Sequence, residues 1–416
     1  MNRSHLLFSV VMALASFMLA SSTFATETIR IGVLATLEGT YESLGREAIR
    51  GVETALAEFE DSIENTSLEL IVEGTNGSPE GLHEAFGRLA NDDKIELVIG
   101  PLTGYEGVTL RNIAYATPSI TFINGSSASP DMTLAGPPVN LFRFTSDVTQ
   151  WLAGLANFAY QERKFRRIVT VGEDFSFPLM QIFAFTTEFC ASGGKVIKNY
   201  WLPFSDKRYE ILVNSIKEID ADAIFLTLEG SDAVKFHEAY SLVGGSLPLI
   251  GGPVTIDEFF MRYASMNSNS LAGTLTSGPI PEGDSATLWK EFSKLYRKTH
   301  GTHLNEPSFY AYAYYVNARA LFMALENIDA DLSDNHYELR EALEDLDFMG
   351  PTGRVQLDKN RHAITNNYLF SLGEDKEGIL KRNLVRTVID VDQRLGMSEA
   401  DWLELGIPSR HSLECR

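Results

Sequence analysis

The sequence is poor in cysteine and in basic residues, and each shortage excludes a class of protein. Its 416 residues include only two cysteines, Cys190 and Cys415, too few for a four-cysteine zinc site or an iron–sulfur cluster. Acidic residues outnumber basic ones 56 to 35. Because a negative surface repels phosphate backbones, we expect no nucleic-acid binding. The length and the 44% hydrophobic content indicate an ordinary globular chain of two or three folding units.

Catalytic and metal-binding motifs are also missing. The chain has no G-x-S-x-G nucleophile elbow and no G-x-x-x-x-G-K-[ST] phosphate loop, and neither His83-Glu84 nor His237-Glu238 continues into H-E-x-x-H. Its eight histidines are scattered along the chain. We therefore predict no catalytic residue, no metal site and no cofactor.

The first 25 residues have the pattern of an export signal. Arg3 precedes an apolar stretch from Leu6 to Leu19, and small residues lead to Ala25, after which we predict cleavage. The alternative is an uncleaved anchor, but the stretch is shorter than the roughly 20 apolar residues that span a bilayer. No later segment is apolar and long enough to span. The pattern predicts a periplasmic protein.

Export changes the interpretation of the two cysteines. In an oxidising compartment Cys190 and Cys415 can pair, and a bridge would tie the C-terminal tail to the middle of the chain. The alternative is two free thiols. We favour the bridge because an exposed free thiol is a liability outside the cell.

Most of the mature chain alternates between buried strands and helices. Short apolar runs are followed by segments with helical spacing, first up to about residue 123 and again from 151 to 250. This alternation predicts two α/β units with parallel sheets and helices on both faces. A third block, from 272 onwards, predicts long helices and then strands that pair with one another. The predicted strands are Thr28–Leu34, Leu68–Val72, Glu96–Gly100, Ser119–Ile123, Arg167–Val171, Lys195–Tyr200, Ala223–Leu226, Pro248–Ile250, Ala272–Ser277, Arg354–Leu357, Tyr368–Leu372 and Val385–Val391.

Loops that follow strands are the expected ligand contacts, because open parallel sheets bind ligands beyond the carboxyl ends of their strands. Small, hydroxyl-bearing, aromatic and acidic residues stand in these loops. Each also has a purely structural interpretation: the glycines as tight turns, the serines as a solvated loop and the phenylalanines as core. The candidate ligand-binding residues are Thr103, Gly104, Tyr105, Ser127, Ser129, Phe175 and Glu229.

In their order and spacing, several segments resemble the type I periplasmic solute-binding proteins of the leucine/isoleucine/valine-binding kind. They include Ile29–Val33, Glu96–Pro101, Ser127–Thr133, Asp222–Phe225 and Gly350–Gly353. The resemblance covers about residues 27–395. No single motif is decisive, but the order of the motifs is specific.

The resemblance implies a fold of two doubly wound parallel-sheet lobes joined by a three-strand hinge, with the ligand between the lobes. The implied crossovers lie near residues 143–146, 277–279 and 352–354. The implied division of the chain is a signal peptide at 1–25, a first lobe at 26–145 and 278–352, a second lobe at 146–277 and 353–395, and a tail at 396–416.

Position by position, the resemblance also implies how a ligand is held. Gly104 stands where a serine is usual, whereas Ser127 and Ser129 match the hydroxyl positions of the family. The loop at 252–254 lacks the acid that usually holds an ammonium group, so Glu229 is the candidate substitute. Phe175 or Phe177 replaces a tyrosine. These differences point to an amphipathic organic acid or amide, with an amino acid possible through Glu229.

The resemblance implies a receptor that delivers its solute to the membrane permease of an ABC transporter. Such a chain needs no chemistry of its own, and we expect a monomer. A ligand sensor of the same fold that signals to a membrane partner remains an alternative. An enzyme is disfavoured by the missing motifs.

Overall fold

The computed structural model describes residues 27–59, 62–63, 66–91, 95–134, 136–203, 208–265, 271–282, 286–304, 306–406, 408–410, 413 and 415. The predicted signal peptide, residues 1–25, lies outside them. Among the described residues, no helix is both long enough and apolar enough to cross a membrane.

A five-stranded parallel sheet forms from the first part of the chain. Its order is β2-β1-β3-β4-β5, so the two strands nearest the N-terminus lie side by side and later strands are added at the other edge. The strands are β1 (Glu27–Thr36), β2 (Thr66–Thr75), β3 (Ile95–Ile99), β4 (Thr121–Ile123) and β5 (Leu141–Phe142). Helices α1 (Glu42–Phe59), α2 (Pro79–Ala90) and α3 (Gly104–Ala116) connect them.

A second sheet follows, and it is parallel at its centre and antiparallel at one side. Its order is β11-β12-β13-β10-β9-β8-β6-β7, with β14 paired to β13. Its strands are β6 (Arg167–Glu173), β7 (Lys195–Leu202), β8 (Ala223–Thr227), β9 (Leu249–Gly251), β10 (Leu275–Gly278), β11 (Asp347–Gly350), β12 (Gly353–Leu357), β13 (Ala363–Glu374) and β14 (Leu380–Val391). The predicted strand pairing in the last block is confirmed, because β12 pairs with β13 at Gln356–Ile364.

The remaining helices cover both sheets. They are α4 (Leu155–Gln161), α5 (Ser176–Ala191), α6 (Tyr209–Lys217), α7 (Gly230–Leu242), α8 (Glu258–Ser265), α9 (Thr287–His300), α10 (Phe309–Asn327), α11 (Tyr337–Glu344) and α12 (Glu399–Leu405). Although α9 and α10 come after the second sheet in sequence, they pack on α1 of the first. The chain therefore returns to the first sheet, as the resemblance implies. The exact boundaries of the two predicted lobes stay a prediction.

The predicted alternation of strands and helices is confirmed, with one break that the periodicity did not show. The sequence predicts a single helix over Trp151–Glu162, but the structure has a 3-10 turn at Gln150–Leu152 and then α4. The cause is Gly154, whose left-handed backbone (φ 82°) separates the two segments.

Local capping fixes where several helices begin. The Ser78 hydroxyl accepts from the backbone of Gly81 at the start of α2, and Ser308 does the same for Ala311 in α10. Each cap satisfies a backbone donor that has no partner inside the helix. The caps stabilise the first turns of α2 and α10.

A buried polar cluster joins the segment after β5 to the start of β13. Arg143 is fully buried, and burial lowers its pKa to about 10. Asp147 accepts from Gln393, and the buried His362 contacts both Thr133 and Gln150. Desolvation, and then the Arg143 charge, hold the pKa of His362 well below its usual range. The cluster holds the chain where it passes from one sheet to the other.

Candidate functional site

Two helix starts that follow parallel strands, one from each sheet, approach each other, and the region between them is called the cleft below. Tyr105 in the first turn of α3 belongs to the first-sheet side, and Ser176 at the start of α5 belongs to the second. The Ser176 hydroxyl donates to the Tyr105 hydroxyl over 3.5 Å. The candidate site therefore lies between these two helix starts, where open parallel sheets bind ligands.

On the first-sheet side, a buried carboxylate organises the start of α3. Glu106 accepts from the backbone of Thr103 at 3.0 Å and from its hydroxyl at 2.9 Å. It also accepts from the Thr36 hydroxyl and from the backbone of Gly77. Together with the Thr103 side chain on the Glu106 backbone, this is a complete capping box. The Thr103 hydroxyl is thus engaged inside the protein, and its assignment as a ligand contact stays a prediction.

Among the described residues, two backbone N–H groups at this helix start are outside the intrahelical hydrogen bonds. The first intrahelical hydrogen bond runs from Gly107 to Thr103, so the N–H groups of Gly104 and Tyr105 precede it. Gly104 faces Ser129: a Cβ at Gly104 would lie 3.6 Å from the Ser129 Cβ. The positive end of the α3 dipole and the half-buried Ser129 hydroxyl can both interact favourably with a carboxylate or amide oxygen.

Ser127 lies deeper than Ser129. It is buried, and its hydroxyl points at Gly107, where a Cβ would come within 2.0 Å of the Ser127 Oγ. Within the described chain this hydroxyl has no hydrogen-bond partner. Ser127 therefore packs beneath the first turn of α3, while Ser129 stands nearer the opening. The roles of both residues in binding stay predictions.

Helix α10 supports the same loop from behind. The fully buried Asn317 donates to the carbonyl of Gly125 at 2.9 Å and accepts from the backbone of Phe144 at 2.8 Å. The Tyr314 ring packs so closely on Gly125 that a Cβ there would lie 2.4 Å from it. Only glycine fits at this position.

Aromatic side chains form a row from α10 to α5. Phe309 contacts Tyr310 at 5.6 Å between ring centroids, and Trp151 contacts Phe309 at 4.9 Å. Phe177, in the first turn of α5, lies 6.2 Å from Trp151. All three contacts are edge-to-face, a favourable geometry for aromatic rings. Phe175, predicted as a ligand contact, is half-buried immediately before α5.

Glu229 faces tyrosines of the opposite side. Burial and then the charges of Glu229 and Tyr105 raise the pKa of Tyr41. Burial and then Tyr41 and Glu229 raise the pKa of Tyr310. A carboxylate next to neutral phenols can accept from an ammonium group or from a ligand hydroxyl.

The loop at 252–254 has no acidic residue, and the nearest one, Asp257, accepts from the backbone of Phe260 at 2.7 Å. Asp257 thus caps the start of α8. Among the described residues, no group of three or more His, Cys, Asp or Glu side chains is arranged to hold a metal ion.

The disulfide is present: Cys190 and Cys415 are bonded, with their Cα atoms 5.2 Å apart. The prediction of a bridge is therefore confirmed.

Three groups near the cleft were missed by sequence reasoning. Ser176 follows β6 next to the predicted contact Phe175 but was not selected. Trp151 lies in the segment that connects the two sheets, and Tyr310 lies in the first turn of α10, which comes after most strands of both sheets. Reading the loops after strands does not single out Trp151 or Tyr310, because the tertiary fold brings them to the cleft.

Comparison with known proteins agrees with this architecture. The model of a family described as periplasmic binding protein matches residues 28–377. A Leu/Ile/Val-binding protein homolog 6 from Brucella melitensis is 21% identical over 393 residues, covering 90% of this chain and 95% of that one. An ABC transporter substrate-binding protein from Sphaerobacter thermophilus has a TM-score of 0.79 at 24% identity, covering 88% of this chain and 99% of that one.

Two further solved structures have known ligand classes. A solute-binding protein from Rhodopseudomonas palustris, in complex with 3,4-dihydroxybenzoic acid, has a TM-score of 0.74 at 17% identity, covering 88% of this chain and 98% of that one. A leucine-binding protein from Thermotoga maritima has a TM-score of 0.70 at 18% identity, covering 87% and 99%.

The class that the fold and the family model define is a periplasmic binding protein. The chain belongs to the periplasmic binding protein family. The predicted resemblance and the type I fold are confirmed. Membership of this family implies an extracytoplasmic location.

Proposed function

We propose that the protein captures a small amphipathic solute for an ABC transporter of the branched-chain amino acid type. The main support for this proposal is the hydrogen bond between the Ser176 and Tyr105 hydroxyls, which lie on opposite sides of the cleft. A solute held between these sides contacts both sheets at once. Binding therefore stabilises the closed form, which the permease would recognise. The protein performs no chemical step and acts as a monomer.

The chemistry of the cleft indicates the type of solute. The aromatic row through Trp151 and Phe309 suits an apolar or aromatic body, and the N–H groups at the start of α3 suit a carboxylate or amide. Glu229 adds an acceptor on the opposite side. Aromatic carboxylates and aromatic amino acids fit this combination. One structural relative binds 3,4-dihydroxybenzoic acid, which has the same chemistry.

The proposed function also requires export of the chain to the periplasm. The signal peptide is removed after Ala25, and the mature protein begins at Thr26 in the periplasm. The intact mass of protein recovered from the periplasm tests this step, and an uncut chain there would contradict it.

The function itself is tested by thermal shift of refolded, ligand-free mature protein. The panel holds branched-chain and aromatic amino acids, benzoate, hydroxybenzoates and short amides. A ligand at 100 times its dissociation constant adds about 2.7 kcal/mol to the free energy of unfolding. We expect a clear shift with an aromatic acid or an aromatic amino acid. If no compound shifts the melting temperature, the proposed solute class is wrong.

Two variants on α3 test whether the solute binds at Tyr105. Tyr105→Ala should remove binding of the best panel compound, alone or with Ser127→Ala, and change the melting temperature of the empty protein little. Tyr115→Ala is the matched control, because it lies on the same helix and is 51% exposed against 56% for Tyr105. Unchanged affinity in Tyr105→Ala, or an equal loss in the control, would move the site elsewhere.

A further inference from the structure

A buried amide without partners lies on the second-sheet side of the cleft. Gln181 in α5 is fully buried, and neither its Oε1 nor its Nε2 has a hydrogen-bond partner in the described part of the chain. An unsatisfied buried polar group costs about 1–3 kcal/mol. Such a cost needs an explanation, and a binding role is one.

Two contacts place this amide beside the cleft. Gln181 lies one helical turn after Phe177, on the same face of α5, and Phe177 contacts Trp151 of the aromatic row. The Oε1 atom lies against Gly252, where a Cβ would come within 2.2 Å of it. Gly252 directly follows β9, at the carboxyl end of the second sheet.

Gly252 itself is held in place. Its N–H donates to the carbonyl of Leu226 at 2.9 Å, and its carbonyl accepts from Thr276 at 3.3 Å. The backbone polar groups at this point are therefore already paired. The amide of Gln181 is left with one acceptor oxygen and one donor NH₂ group side by side.

The chemistry of an amide selects its partner. An ammonium group satisfies the oxygen and leaves the NH₂ unpaired, and a carboxylate does the reverse. A neutral hydroxyl both donates and accepts, so it satisfies both atoms. The neighbouring aromatic row favours a hydroxyl carried on a ring.

We propose that Gln181 is a specificity-determining residue that binds a hydroxyl group on the ring of the solute, at the end away from the start of α3. This inference rests on the proposed function, because it concerns the same cleft. It adds the residue that separates hydroxylated from plain aromatic solutes. A solute that lacks the hydroxyl leaves the buried amide unpaired and therefore binds more weakly.

The first test needs no ligand. Gln181→Met removes the two unpaired polar atoms and keeps the approximate length of the side chain. Replacing unsatisfied polar atoms by apolar ones is neutral or stabilising. The melting temperature of the refolded empty protein should therefore stay the same or rise. A fall of more than about 3 °C would show that the amide has a structural partner and would overturn the inference.

The second test uses 4-hydroxybenzoate and benzoate, which differ by one hydroxyl. Isothermal titration should show wild-type protein preferring 4-hydroxybenzoate by about 10- to 100-fold, and Gln181→Met losing that preference. A preference that the variant keeps, or equal binding of both acids to the wild type, would overturn the inference. A stable variant with altered preference is a result that a purely structural residue would not give.

A matched control lies on the same helix. Thr186 in α5 is also buried, and its hydroxyl also has no partner among the described residues. Thr186→Val should likewise leave the empty protein as stable, and it should keep the preference for the hydroxylated acid. If this control also loses the preference for 4-hydroxybenzoate, the preference depends on α5 as a whole, and a specific role of Gln181 is contradicted. If neither acid nor any panel compound binds, the proposed function fails, and the melting temperature of the empty Gln181→Met variant still decides whether the amide is a structural group.

Discussion

The two sides of the cleft are held in place by different means. On the first-sheet side, the Glu106 carboxylate accepts hydrogen bonds from the start of α3, the end of β1 and the loop after β2. On the second-sheet side, α5 begins after Phe175 with no side-chain cap. The helix start on the first-sheet side is therefore fixed by a side-chain cap, whereas the helix start on the second-sheet side has no such cap.

The second side is held from outside by the C-terminal tail. The disulfide joins Cys415 to Cys190 near the end of α5. Trp402 of α12 packs edge-to-face on Phe183 in the middle of that helix, with 5.8 Å between ring centroids. Arg410 pairs with Asp174, directly before Phe175. The tail thus contacts α5 in its middle and in its last turn, as well as the loop directly before it.

This difference separates a preformed half of the site from an adjustable one. The capping box fixes the N–H groups of Gly104 and Tyr105 before any solute arrives. The loop before α5 depends instead on residues more than two hundred positions later in the sequence. Changes to the tail should therefore alter the second side selectively, whereas changes to Glu106 should alter the first.

The largest effect is expected from loss of the disulfide. The bridge closes a loop of 225 residues. The loop-entropy model then predicts that the double variant Cys190→Ser with Cys415→Ser loses at most about 5 kcal/mol of stability, and the loss is measured by urea unfolding. Hydrogen exchange should rise in α5 more than in α3. Reduction of the folded wild-type protein is the parallel measurement if the variant is not exported. An equal rise in hydrogen exchange in α3 and α5 would contradict the idea that the tail holds the second side selectively.

A smaller loss is expected from Glu106→Ala. Four donors (the Thr103 and Gly77 backbones and the Thr103 and Thr36 hydroxyls) lose this acceptor. We expect a loss of about 2–4 kcal/mol in the free energy of unfolding. Exchange should rise in the first turn of α3, not in α5. Glu80→Ala, in the first turn of α2 and exposed, is the control and should change little. A loss no larger than that of the control would mean that the capping box does not hold this side.

Sequence patterns predicted the first side better than the second. The strand predicted at Glu96–Gly100 is present as β3, and Thr103 caps the helix that follows it. Capping is local, so three or four neighbouring residues determine it. Periodicity also located most strands, because burial on both faces gives continuous apolar runs.

The second side depends on long-range contacts that no local pattern shows. Gln181 lies in an apolar helix, and only the position of Gly252 reveals that its amide is beside a strand end. Strand β5 has two residues and β11 four, too few for a periodic signal. Helix α12 was expected only as part of an ordered tail, since its packing on Phe183 comes from the tertiary fold.

Arg410→Ala should affect the second side without much cost in stability. Its ion pair with Asp174 is partly exposed, and such pairs contribute about 0–1 kcal/mol. We nevertheless expect hydrogen exchange at residues 173–178 to rise, because the pair holds the tail to this loop. Arg354→Ala, which breaks the exposed pair with Asp347, is the control and should leave that loop unchanged. The same exchange in Arg410→Ala and wild type would show that this ion pair does not hold the tail to the loop.

The smallest effect on stability is expected at Gly104, on the preformed side. A Cβ there would meet only Ser129, at an ordinary contact distance of 3.6 Å, so Gly104→Ser should change the free energy of unfolding by less than about 0.5 kcal/mol. The new hydroxyl would stand beside the N–H groups at the start of α3, and we expect tighter binding of benzoate by isothermal titration. Gly107→Ser is the matched control in the same turn: its Cβ would lie 2.0 Å from the Ser127 Oγ, so it should destabilise the protein by about 1–3 kcal/mol. If Gly104→Ser destabilises as strongly as the control, this half of the site has no room for a side chain. If it is stable but benzoate binds no better, the carboxylate is held elsewhere in the cleft.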